Sequence, residues 1–130
     1  MRHIKVPEDI ALANPETGTR LREPSKEDAT IMVDVAPTTF HQFVMRNLVS
    51  NNDVFGQGYA SVLAAFKVDA AFRDADPGDV VDLEDDVHEK LCDALNRAEW
   101  RIPAIAMQYM AFMAAIVDAP SMRLSKVAAS

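Results

Sequence analysis

His88 and Cys92 lie four residues apart, a spacing that puts both on one face of a helix. An imidazole and a thiolate so placed can both ligate zinc, but a zinc site takes three or four protein ligands. Cys92 is the single cysteine, and His3 and His41 have no companion at ligand spacing. A packed core or interface pair is therefore the favoured reading. The segment Asp74 to Asp85 (DADPGDVVDLED) carries carboxylates at its first, third and twelfth positions, as calcium loops do. It departs at the sharp turn: Gly78 is fifth, Asp79 takes the place of the required glycine, and Asp85 is shorter than the usual bidentate glutamate. An acidic turn leading into a helix N-terminus accounts for it better. Gly56-Gln57-Gly58 hints at a phosphate loop but lacks a third glycine and a following Lys-Ser/Thr pair. No serine sits in a Gly-x-Ser-x-Gly context. Carboxylate pairs are plentiful in an acidic chain and single out nothing. These residues predict no enzyme, no metal and no cofactor.

The elements that hold these residues belong to a chain of 130 residues, the size of one domain. Apolar residues make up 49% and charged residues 25%, which predicts a globular fold with a real core. The net charge is −7, from 20 acidic and 13 basic residues, so a phosphate backbone is repelled and nucleic acid is not an expected partner. No stretch reads as a signal peptide or a membrane span, and a cytoplasmic protein is the expectation.

In chain order, residues 9–23 read as a β-hairpin turning at Asn14-Pro-Glu-Thr-Gly18. Ala29 to Val35 is rich in β-branched residues and predicts a third strand. Thr39 and Gln42 match a capping box, and Phe40, Phe43, Val44 and Leu48 follow at helical spacing. A second helix is expected from about Gln57 to Asp74, with Tyr59, Val62, Leu63, Phe66 and Ala70 as its apolar stripe. Asp82 is the expected cap of a third helix, with Glu84, Asp85 and Asp86 in its first turn and Val87, Leu91 and Leu95 along its apolar side. The predicted fold is mainly α: a small N-terminal β-hairpin or three-strand piece over 1–36, a four-helix domain over 37–120, and a flexible tail over 121–130.

The last helix dominates this plan. Ala104 to Val117 holds one strongly polar side chain, Gln108, between Pro103 in the first turn and Pro120 beyond the end. A helix with no polar face must be enclosed, and this one is too short for a bilayer, which takes about 20 apolar residues. It is either the centre of the domain or the contact surface for another chain. Met107, Met110 and Met113 recur every third position, and methionine suits surfaces that accept varied partner helices. The residues expected to carry partner contact or self-association are Met107, Met110, Phe112, Met113 and Ile116, supported by Phe40 and Phe43.

Val6–Ile10, Asn14–Gly18, Thr39-Phe40, Gly78–Leu83 and Ile116–Pro120 follow one another in an order that resembles the tail assembly chaperones of long-tailed bacteriophages. The resemblance covers most of the chain through short motifs. It implies a mainly helical, non-enzymatic protein that coats the tape-measure protein, recruits tail-tube subunits and leaves before the virion is complete. Its place would be the host cell cytoplasm, its partners those two proteins, with a homo-oligomer possible. Two alternatives stand beside it. One is a small particle component that uses its N-terminal strands for subunit contacts. The other is an acidic inhibitor whose face around Asp74–Glu89 mimics nucleic acid.

Overall fold

Capping at Thr39 starts the helical part of the chain. In the computed structural model, which describes residues 1–100 and 102–120, Thr39 Oγ1 accepts the Gln42 N–H at 3.1 Å and Gln42 Oε1 accepts the Thr39 N–H at 3.2 Å. The expected tail over 121–130 lies outside the described residues. Helix α1, Phe40–Phe43, runs on without a break as a π-helix, Val44–Val49, and buries Phe40, Phe43, Val44 and Leu48 at the predicted spacing. Ser50 ends this helix, and the polar run that follows opens another: Asn51 accepts the Asp53 N–H at 3.1 Å and caps α2, Asn52–Phe55. Gly56 and Gly58, at φ +93° and +95°, then swing the chain into α3, Tyr59–Phe72. Those two left-handed turns explain the glycine pair without a phosphate.

Strand β1, Arg2–Lys5, pairs antiparallel with β4, Val80–Leu83, in the register Arg2↔Leu83 to Lys5↔Val80. A second two-stranded sheet joins β2, Arg22–Pro24, to β3, Met32–Asp34. Residues 10–38 extend it as an irregular meander. Ala13 bridges Arg20, Ile10 bridges Thr38, and Leu21 donates to Leu12 O at 3.1 Å while its own carbonyl accepts the Val35 N–H at 2.9 Å. The turn sits where expected, closed by Gly18 N–H to Asn14 O at 2.8 Å. The N-terminal stretch is not a separate layer, because β1 pairs inside the helical region and Ile4 and Val6 belong to the main core.

Helix α4, Asp85–Arg97, starts at Glu84, with Asp85 and Asp86 in its first turn facing the positive end of the helix dipole. Asp82, the expected cap, is taken up by β4. The last helix has Pro103 in its first turn and three segments: α5, Pro103–Ala106, a 3₁₀ turn, Met107–Tyr109, and α6, Met110–Val117. The architecture is mainly α with a small antiparallel β part. The π-helical stretch, the extra α2 and the 3₁₀ break make it less regular than a four-helix domain.

Aromatic rings form the centre. Phe40 meets Phe72 and Phe112 edge-on at centroid distances of 5.1 and 5.5 Å. Phe43 touches Tyr109 at 4.9 Å and Phe112 at 5.3 Å, and stacks on Trp100 at 6.0 Å. Each such pair contributes about 0.5–1.5 kcal/mol beyond the area it buries.

Candidate interaction surface

The seven residues expected to touch a partner divide sharply. Phe40, Phe43, Phe112 and Ile116 lie inside, each at most 1% exposed. Met113 is half-buried. Met107 and Met110 are on the outside, 69% and 58% exposed. Helical geometry sorts them: Phe112 and Ile116, one turn apart, fill the core side of α6, and the opposite side presents Met107, Met110, Ala111, Ala114 and Val117 to solvent. Gln108 points to the N-terminal meander. Its Oε1 accepts the Ala13 N–H and its Nε2 donates to the Ala13 carbonyl, both at 2.8 Å. The one strongly polar side chain of the apolar run thus satisfies both backbone polar groups of Ala13 in the meander. The other side of the run, expected to be enclosed, stays open in the single chain.

Helix α3 holds a second open face. Its expected stripe turns outward, with Tyr59, Val62, Leu63 and Phe66 exposed by 81, 65, 40 and 69%. The buried side is Ser61, Ala64, Val68 and Phe72. The helix is apolar on nearly every side, so periodicity alone could not choose the inner face. On the inner face Ser61 and Ala64 allow close approach, the Ser61 hydroxyl donates to the Phe55 carbonyl at 3.3 Å, and Val68 and Phe72 fill the core.

The candidate chemistry reads as structure. His88 is buried and its Nε2 donates to the Ile116 carbonyl at 2.6 Å, tying α4 to the end of α6. Cys92 Sγ lies 3.6 Å from His88 Nε2. Burial pushes the Cys92 thiol above its ordinary pKa, the opposite of an activated thiolate. In the acidic loop, Asp79 Oδ2 accepts the Asp76 N–H at 2.9 Å and Asp85 pairs with the Met1 amino group at 2.9 Å. Among the described residues no group of three or more His, Cys, Asp or Glu is placed to hold a metal ion.

Sequence reading missed a charged network. His41 Nε2 contacts Asp69 at 2.8 Å, and Arg73, four residues on from Asp69, bonds its other oxygen. An open cleft of about 500 Å³ lies beside it, lined by Thr39, His41, Arg73, Asp74 and Asp76. The hydrogen bond from His41, joined by Arg73, holds the Asp69 carboxyl below the usual carboxylate range against partial desolvation. A depressed folded pKa stabilises the fold above the unfolded value of about 3.9 and is lost as pH falls through the folded value. Asp69→Asn is therefore expected to lower the urea midpoint at pH 7 and to converge on wild type at acid pH. Parallel midpoint-against-pH curves would refute the assignment.

No helix of the described residues is long and apolar enough to cross a membrane. No protein-family model, curated protein or solved structure matches the chain.

Proposed function

We propose that this chain is a non-enzymatic assembly chaperone that lays an exposed apolar helix face against apolar helices of another protein. The observation that carries it is the outer face of the last helix, where Met107 and Met110 stand exposed on a surface without a charged side chain from Ile102 to Val117. Methionine adapts its shape to varied helix surfaces, and an amphipathic helix in a groove is a recurring mode of peptide recognition. The order of motifs that resembles phage tail assembly chaperones fits the same chemistry. On that reading the client is a tape-measure protein, whose long apolar helices need cover, and the recruited partners are tail-tube subunits. The work takes place in the host cytoplasm.

The test is co-expression with the tape-measure protein of the same tail gene cluster. Met110→Asp is expected to weaken client capture by at least about tenfold, the effect of about 1.4 kcal/mol. Helicity and thermal midpoint should stay at wild-type values, since an exposed substitution alters stability by about 0.5 kcal/mol or less. Capture at wild-type strength would contradict the proposal. Raising salt from about 0.1 M to about 1 M shortens the Debye length from about 10 to about 3 Å. Apolar capture should persist through that change, whereas an acidic nucleic-acid mimic would let go.

One observation favours the second reading, a particle subunit joined through its N-terminal strands. Ile31, Met32 and Val33 are exposed by 54, 46 and 38% on the β2–β3 sheet.

A further inference from the structure

Tyr59, Val62, Leu63 and Phe66 repeat at i, i+3, i+4 and i+7, a spacing that reads the same in either direction along the helix. Its chemistry reads the same too: an aromatic ring at each end and two aliphatic side chains between. An isologous dimer places each patch on itself by a two-fold axis. With that axis between Val62 and Leu63 and the helices antiparallel, Tyr59 falls opposite Phe66 of the second copy and Val62 opposite its Leu63. The rows 59–63 and 62–66 are the i→i+4 ridges that interlock in helix pairs. We infer that the outer face of α3 is a self-association surface that takes a second copy of this chain.

Charge permits self-contact at this face. A chain of net charge −7 repels its own copy over most approaches. Residues 59–66 carry no charged side chain. The first charge at the rim, Lys67, is matched by Glu84 at 2.9 Å. Two copies can meet here without a like-charge contact.

Area sets the strength. At about 200 Å² per ring side chain, the exposed parts of Tyr59 and Phe66 present about 300 Å². Val62 and Leu63 add about 100 Å² at roughly 60–120 Å² for a full aliphatic side chain. The patch lies in the range of about 300–600 Å² found for the largest apolar patch of a monomer, a size that is often functional. Doubled and edged by Ala60 and Ala70, it reaches about 1,000 Å², the lower limit of specific interfaces. The dimer is therefore weak, with Kd on the order of tens to hundreds of micromolar. It uses a different helix from the client face around Met110 and stands independently of the chaperone reading.

Sedimentation equilibrium of the full chain from about 10 to about 500 µM, a range spanning that Kd, tests it. Wild type is expected to shift from monomer to dimer across that range. Phe66→Glu and Tyr59→Lys, each with unchanged far-UV circular dichroism, should raise Kd at least about tenfold, the usual scale for a central aromatic anchor. The double variant Tyr59→Lys/Phe66→Glu places opposite charges across the axis twice and should regain most of the lost association. Met110→Asp should dimerise as wild type does. A wild type monomeric at every concentration, a Phe66→Glu variant that still dimerises, or a double variant no better than the singles would each overturn the inference.

Discussion

Phe112→Ala is expected to lower the unfolding free energy by about 3–5 kcal/mol, the cost of removing a fully buried ring and leaving a cavity. Phe112 is 0% exposed and lies 5.5 Å from Phe40, 5.3 Å from Phe43 and 5.9 Å from Tyr109, ring centre to ring centre. Those three neighbours come from α1 and from the turn before α6, so the truncation unpacks the junction of two helices at once. Met110→Ala, two residues away on the same helix but 58% exposed, is expected to shift stability by about 0.5 kcal/mol or less. Urea unfolding followed by circular dichroism compares the two. A loss below about 1 kcal/mol for Phe112→Ala would show that the site collapses around the missing ring and that α6 is only loosely docked. The contrast bears on function as well. Loss of association in a Phe112 variant reports lost structure, whereas the same loss in a Met110 variant reports a lost contact.

What was legible in the sequence was local. The capping box at Thr39 and Gln42 reads correctly because its two hydrogen bonds join residues three apart. The turn at Asn14–Gly18 and the proline opening of α5 read correctly for the same reason. The core side of α4 was legible because its charged residues leave Val87, Leu91 and Leu95 only one place to go. Long-range pairing was not legible. The partner of β1 lies at the far side of α3, with His3 against Asp82, and nothing in a four-residue strand names its mate. Asp82 looked like a helix cap because its position before an acidic first turn suits one, but the ladder with β1 carries it into a strand. The surface was half legible. A stretch as uniformly apolar as 104–117 shows that something must cover it without showing which side the rest of the chain covers first. On α3 the bulky stripe marked the helix without marking its buried side, which is Ser61, Ala64, Val68 and Phe72.

Removing residues 1–6 is expected to abolish cooperative unfolding of the remaining chain. Ile4 is 0% and Val6 5% exposed, and burying each such side chain contributes about 1.5–3 kcal/mol before any cavity cost. Backbone bonds fail with them. Val6 exchanges bonds of 2.8 Å with the turn before β4, through Asp79 O and the Gly78 N–H. The His3 N–H donates to Pro120 O at 3.0 Å and Arg2 Nη1 to Ala119 O at 2.9 Å. The segment therefore joins the middle of the chain to the end of the last helix, and its loss approaches the whole stability of about 5–15 kcal/mol expected of a domain. Thermal denaturation of the chain from Pro7 onward should show no sharp transition. A melt within a few degrees of wild type would mean that β1 only decorates the core. Residues 26–30 give the opposite expectation, because all are exposed and the Ser25 N–H already bonds Ile31 O at 2.7 Å across the loop. Replacing them with Asn-Gly should cost less than about 1 kcal/mol, since loop-closure entropy varies slowly with length. Any trial of the N-terminal strands as subunit contacts must therefore alter the exposed β2–β3 tip around Ile31 to Val33. A cut from the chain start removes core and contact together and cannot tell one role from the other.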